Sequence, residues 1–337
     1  MDLATDYLGL TLPNPVIASA SPLSGDVGTI RQLEDYGAGA VVLPSLFEEQ
    51  IYEEERLIDV LTNVGNDSNP ETSSYFPDSM RYNAGPYGYV ELVARARAAV
   101  DIPVIASLNG ITEAGWLDYA QLIEQAGASA LELNIYRIAS GPAATAASVE
   151  ADCVALLQAV RRRVQLPIAV KLHPYFSAFG ALALQLDAAG ADGLVLFNRL
   201  YQPDIDLTRL GWSDDLLLSS ASEVRPVLLW VSRLAGRLPH ASLAASTGVE
   251  TAAEVVKYLL AGADAVMTAS ALLRHGPGYM RSLVADLAAW LESRGFASVT
   301  AARGLMQSSH PDAETEWQER SHYIRSLSGY RGPHVRR

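Results

Sequence analysis

The sequence predicts a (β/α)8 barrel, the TIM-barrel class, and three observations lead there. Eight short apolar runs punctuate the chain, segments of helical period separate them, and a Gly-Ala turn recurs at the same phase, after a helix and before a strand. Such alternation builds a parallel sheet rather than a sandwich, and eight is the strand number at which a parallel barrel closes around a filled interior. An open doubly wound sheet is the competing architecture.

In chain order the runs are 15–21 (PVIASAS), 40–45 (AVVLPS), 103–109 (PVIASLN), 130–136 (ALELNIY), 167–173 (PIAVKLH), 193–199 (GLVLFNR), 241–248 (ASLAASTG) and 265–271 (AVMTASA). Between them, segments such as 116–126 place Leu117, Ala120, Leu122 and Ile123 at helical spacing. The turns Gly37-Ala38-Gly39, Gly127-Ala128, Gly190-Ala191-Asp192-Gly193 and Gly262-Ala263-Asp264 each close a helix and return the chain to a strand. Glycine suits the left-handed residue that ends a helix. Two stretches break the repeat, 47–88 after the second strand and 201–222 after the sixth, and loops this long usually bind ligands or cover sites. The expected organisation is one barrel over 1–300 and a C-terminal extension over 301–337, whose tail carries Trp317, Tyr323 and Tyr330.

A chain of 337 residues, 49% hydrophobic and 19% charged, has ample material for such a core. Its net charge of -13 argues against nucleic acid and anionic membrane surfaces as partners. The basic triplet Arg161-Arg162-Arg163 reads as a helix end complementing the dipole. One cysteine, Cys153, sits in a helical segment and reads as packing; a single thiol excludes an internal disulfide and any iron-sulfur or zinc cluster built from several cysteines of this chain. No metal site is expected, and the start, MDLATDYLGLTL, has neither the basic opening nor the apolar stretch of a signal peptide, so cytoplasmic residence is expected.

Side chains at the C-terminal ends of barrel strands face the active site. The polar residues closing the runs are Ser19 and Ser21, Ser45, Asn109, Asn134, Lys171 with His173, Asn198, Ser246 with Thr247, and Thr268 with Ser270. Three asparagines offer donors and acceptors together, which suits a heterocycle. Lys171 stands in the apolar run IAVKL, where a charge needs a partner. It reads as a structural partner of Glu132, as a cation set against a ring cofactor, or as a Schiff-base amine. The small, hydroxyl-rich ends of the last two strands suit a phosphate or simple helix caps. His173 and Tyr136 are acid-base candidates.

With these residues assembled, the chain resembles the class 1 dihydroorotate dehydrogenase family, FMN-dependent barrels of pyrimidine biosynthesis that oxidise dihydroorotate to orotate. The resemblance runs from about 8 to 294 and rests on NPVIASASP, the strand ELN ending in Asn134, VKLHPYF around Lys171, and the pair STGVETAAE and ASALLRHGP. It implies that Ala20 and Ser21 line the isoalloxazine with Ser45 nearby. It places Asn109, Asn134 and Lys171 on the ring's polar edge, and Thr247, Gly248, Ala269 and Ser270 on the phosphate. Asn198 would face flavin and substrate, and Asn83, in the NAGP segment, would sit in the substrate loop.

Three departures fall on the substrate side. Pro44 stands where the family has a lysine, Arg137 occupies the position of the catalytic cysteine or serine, and LLLSSASE around Ser219 and Ser220 replaces a glycine-rich stretch. An arginine stays protonated and cannot act as a base, but its planar fork pairs with carboxylates. The expected substrate is therefore a small anion, held by Asn83, Asn134, Arg137 and Asn198, with Lys171, Arg137 and His173 as the catalytic set. The function implied is hydride transfer between flavin N5 and that substrate, in a homodimer. A Schiff-base lyase using Lys171 and a non-catalytic flavin-binding subunit of a redox assembly are the alternatives.

Overall fold

The computed structural model describes residues 1–52, 85–110, 117–213, 215–307 and 312–331. Its centre is a closed barrel of eight parallel strands: β1 (Val16–Ala18), β2 (Ala40–Phe47), β3 (Val104–Asn109), β4 (Ala130–Asn134), β5 (Ile168–Leu172), β6 (Gly193–Leu196), β7 (Ser242–Ser246) and β8 (Ala265–Thr268), with β8 pairing back onto β1. Seven of the strands lie within their apolar runs, and β2 continues two residues past the run 40–45, to Phe47. The sixth run outlasts its strand, because β6 stops at Leu196; Phe197 and Asn198 still donate backbone N–H groups to Ser246 and Leu172 before the chain turns outward.

Helices α1 (Val27–Asp35), α2 (Gly85–Ala99), α3 (Leu117–Gln125), α4 (Ala146–Arg161), α5 (Phe179–Ala188), α6 (Val224–Leu234) and α7 (Ala252–Ala261) follow strands β1 to β7 in turn. After β8 come a short helix α8 (Ser270–His275) and the long α9 (Tyr279–Ser293). One apolar layer fills the space between strands and helices, with Leu33, Val93, Ile123, Leu157, Leu186, Val231, Leu259 and Leu287 facing inward from the helices. Cys153 belongs to it, and burial pushes its thiol pKa up to about 12, far from any reactive range. The helix-closing glycines Gly37, Gly127, Gly190 and Gly262 take φ values of +89°, +88°, +99° and +109°, which a side chain would strain.

A second apolar cluster fills the barrel itself and includes a feature that the strand periodicity does not announce. An N-terminal hairpin, Thr5–Tyr7 with Leu10–Leu12, pushes Tyr7, Leu8 and Leu12 into the barrel among Ile17, Val42, Ile105, Val195 and Met267. Leu8 and Gly9 both have positive φ, as a two-residue hairpin turn requires. Leu8 tolerates that conformation because it is buried there, so close to Gly193 that a Cβ on that glycine would meet it at 2.5 Å.

The basic triplet does more than complement a dipole. Arg161 closes α4 by donating to the carbonyls of Leu166 and Gly190 and to the Asp192 carboxylate. After the sixth strand a second hairpin, Asp204–Asp206 with Gly211–Ser213, carries Ile205, Leu207, Leu210 and Trp212 exposed. Past α9, a short helix α10 (Val299–Ala302) and α11 (Asp312–Gly329) end the described chain, and Trp317, Tyr323 and Ile324 of α11 are exposed. Among the described residues no helix is long and apolar enough to cross a membrane.

Candidate active site at the mouth of the barrel

Parallel register puts three of the polar strand ends at one level. Asn109 of β3 is the register partner of Asn134 of β4, which is the partner of Lys171 of β5. All three are buried. Asn198, just past β6, joins them by donating from Nδ2 to Oδ1 of Asn134 at 2.9 Å. One level down, Ser107 pairs in register with Glu132, and its hydroxyl is 2.8 Å from that of Ser45. The Lys171 ammonium donates to Glu132 Oε1 at 3.1 Å and more weakly to the Ser19 hydroxyl at 3.4 Å.

The ammonium opens onto a cleft of about 130 Å³ lined by Ala20, Lys171, Asn198, Ser219, Thr247, Gly248, Ala269 and Ser270, among others. Seven of the positions assigned to a cofactor from sequence therefore meet around one space: Ala20, Lys171, Asn198, Thr247, Gly248, Ala269 and Ser270. The remaining four, Ser21, Ser45, Asn109 and Asn134, are buried at neighbouring strand ends but do not line it. Asn83 lies outside the described residues.

Part of the cleft wall has an uncommon backbone conformation. Thr247 has φ +83° and Gly248 φ +76°, two consecutive residues with positive φ, a conformation that costs a non-glycine residue and turns the chain sharply here. Thr247 is pinned on both sides, donating its hydroxyl to the Phe197 carbonyl and accepting from the Tyr258 hydroxyl at its own carbonyl. A Cβ on Gly248 would meet Val224 Cγ2 at 2.8 Å and the Ser220 carbonyl at 3.0 Å. Ser219 completes this part of the wall: its hydroxyl accepts from Gly248 N–H at 3.2 Å and donates to the Ser270 hydroxyl at 2.9 Å. Arg274 secures the segment by donating to the Leu218 and Ser219 carbonyls. Sequence reading treated Ser219 only as a lost glycine-rich stretch and passed over Arg274, since neither falls at a strand end.

Arg137 and His173 face elsewhere. They line a larger cavity of about 440 Å³ together with Thr145, Glu150, Tyr175, Phe176 and Leu200. Size and chemistry disagree here: this cavity has the volume usual for small-molecule sites, yet the buried cation, Asn198 and the strained backbone line the smaller cleft. We place the chemistry in the cleft because charge and strain cost free energy to maintain, whereas volume between loops does not. Arg137 is engaged by Asp152 of α4 at 2.5 Å. His173 accepts at Nδ1 from the Tyr175 N–H and stacks on Phe176 at 4.4 Å. Burial lowers its pKa, with a hydrogen bond to the Arg137 backbone opposing, so the neutral ring is favoured. Tyr136 lies beside this region, accepting at its hydroxyl from Tyr201 N–H at 2.5 Å. Among the described residues no group of His, Cys, Asp and Glu is arranged to hold a metal.

A closed parallel barrel with its polar groups gathered at the C-terminal strand ends is the architecture of enzymes that bind small molecules at that mouth. The chain belongs to the dihydroorotate dehydrogenase family, a family of oxidoreductases, whose sequence profile matches residues 83–291. It is 30% identical over 318 residues to the catalytic subunit of dihydroorotate dehydrogenase B (NAD(+)) of Desulforudis audaxviator, covering 88% of this chain and 94% of that one. It is 26% identical over 317 residues to a putative dihydroorotate dehydrogenase A (fumarate) of Aeropyrum pernix, covering 88% and 95%. It is also 25% identical over 345 residues to the NAD-dependent dihydropyrimidine dehydrogenase subunit PreA of Escherichia coli, covering 93% and 79%.

Proposed function

We propose that the protein is an FMN-dependent oxidoreductase acting on a CH–CH bond of a small anionic substrate. The observation that carries this reading is the cleft whose lining brings the Lys171 ammonium together with the small, hydroxyl-bearing residues Ser219, Thr247, Gly248 and Ser270. A phosphorylated ring cofactor suits that lining. Gly248, Ser219, Ala269 and Ser270 would hold the phosphate, and Lys171 and Asn198 the polar edge of the ring, with Asn134 orienting Asn198 from behind. Bound FMN would supply hydride chemistry, which the side chains of this barrel lack. Lys171 would offset negative charge that develops on the ring, a role for a compact ammonium fixed in a low-dielectric site.

On the substrate side, Arg137 lines the other cavity and is paired with Asp152, so the substrate's acid group is left to residues at the cleft itself in this reading. The Lys171–Glu132 ion pair speaks against the lyase alternative, because an ammonium has no lone pair with which to attack a carbonyl. Exposed Ile205, Leu207, Leu210 and Trp212 on the hairpin support association of two copies through that face. The deciding experiment is a spectrum of the purified protein after reconstitution with FMN, followed by anaerobic titration with dihydroorotate and dihydropyrimidines. Flavin absorbance that bleaches with one of these is the expected result; a colourless protein after reconstitution would end the reading.

A further inference from the structure

Among the described residues the barrel interior holds one ion pair, and its acidic half is the residue that the cofactor reading leaves unused. Glu132 is fully buried, 0% exposed, and Lys171 is 5% exposed. Burying a carboxylate costs several kcal/mol, and a buried pair is often no more stable than an apolar replacement of equal volume. Glu132 is moreover poorly satisfied. Among the described residues its Oε2 has no hydrogen-bond partner, and neither has the hydroxyl of buried Tyr7. Oε1 is committed to Lys171 at 3.1 Å. A carboxylate kept for folding would be expected to spread its charge over several donors; this one is spent on a single ammonium.

The other titratable groups around the pair cannot substitute for it. Tyr7, from the N-terminal hairpin, and Tyr89, from α2, both feel the charge of Glu132, and burial first and that charge second hold the Tyr7 phenol neutral. Tyr89 is further engaged with the Ser107 backbone. Composition adds an independent observation: of the 25 lysines and arginines in the chain, only Lys171 and Lys257 are lysine. Arginine is the usual cation of this protein, and the mouth of the barrel holds a lysine, whose charge depends on its surroundings far more than that of a guanidinium.

We propose that Glu132 is a positioning residue that keeps the Lys171 ammonium charged and aimed at the ring seated over the strand ends. Its effect on the cofactor passes through Lys171, which is what separates it from a merely structural carboxylate. The proposal rests on the FMN reading for its consequence but not for its first test.

That first test uses the cofactor-free protein labelled with 13C-lysine, whose two Cε–Hε signals are assigned by comparison with Lys257→Arg. At pH 8 the Lys171 signal is expected at the charged-amine position in wild type and displaced toward the neutral position in Glu132→Gln, while Lys257, half exposed on α7, stays unchanged in both. A Lys171 signal that does not move overturns the proposal. The second test is the midpoint potential of bound FMN. Glu132→Gln is expected to make it more negative, as is Lys171→Met, and the double variant is expected to match Lys171→Met alone. A more positive potential in Glu132→Gln, or additive shifts in the double variant, overturns the proposal. If Glu132→Gln does not fold, the comparison of Lys171→Met with the double variant, a neutral pair, still decides: equal potentials support it and unequal ones sink it. A protein that binds no FMN fails the functional reading while leaving the first test standing.

Discussion

Lys171 and Gly248 both line the cleft, and each makes a separate prediction. Removing the ammonium with Lys171→Ala should weaken FMN binding or slow flavin reduction, read by fluorescence titration and stopped-flow absorbance; unchanged affinity together with an unchanged rate would remove the role assigned to it. Gly248→Ala puts a Cβ 2.8 Å from Val224 and asks alanine to adopt φ +76°. It should cost about 1–3 kcal/mol in thermal or urea unfolding and weaken FMN affinity at the same time. Both residues were legible in the sequence, Lys171 as a charge inside an apolar run and Gly248 as the close of a hydroxyl-rich strand end. Ser219 was not, because its importance comes from meeting Gly248 and Ser270 across the barrel.

Between elements, the bottom of the barrel is held by a device repeated with a period of two units. A carboxylate near the end of an odd-numbered helix accepts the two N–H groups that precede a strand: Glu34 of α1 those of Asp101 and Ile102 before β3, Glu124 of α3 those of Gln165 and Leu166 before β5, and Asp187 of α5 those of His240 and Ala241 before β7. Arginines from the even-numbered helices complete it: Arg97 donates to the Ile102 and Gly127 carbonyls, and Arg161 to those of Leu166 and Gly190. Asp187 is the buried member, so Asp187→Ala leaves two N–H groups poorly satisfied. It should lower stability by about 1–3 kcal/mol, more than Glu124→Ala, and neither variant should change FMN affinity, since both sites lie at the opposite end from the cleft. Equal losses from the two variants in thermal denaturation would show that burial does not set their value.

For the whole molecule, acid sensitivity and association follow from burial. His173 has a pKa lowered by burial from 6.5, so the unfolded chain binds more protons than the folded one just below that value. Stability should therefore rise with pH across the window below about 6.5 and be lost as pH falls through it; urea unfolding at pH 5 and pH 7.5 should show a slope that His173→Asn reduces. If the exposed hairpin joins two copies, Trp212→Asp should shift the sedimentation profile from dimer to monomer without loss of fold. The barrel, its eight strands, the glycine turns and the identity of the polar strand ends can be read along the chain, because apolar period and helix-closing glycines are local properties. Which of those polar groups share a space is settled by packing in three dimensions. Register sets Asn109, Asn134 and Lys171 level, and packing turns Arg137 and His173 into a different cavity. The ion pair of Glu132 with Lys171 depends on two side chains meeting inside a closed barrel, and that meeting is a fact of three-dimensional proximity that spacing along a chain of 337 residues does not contain.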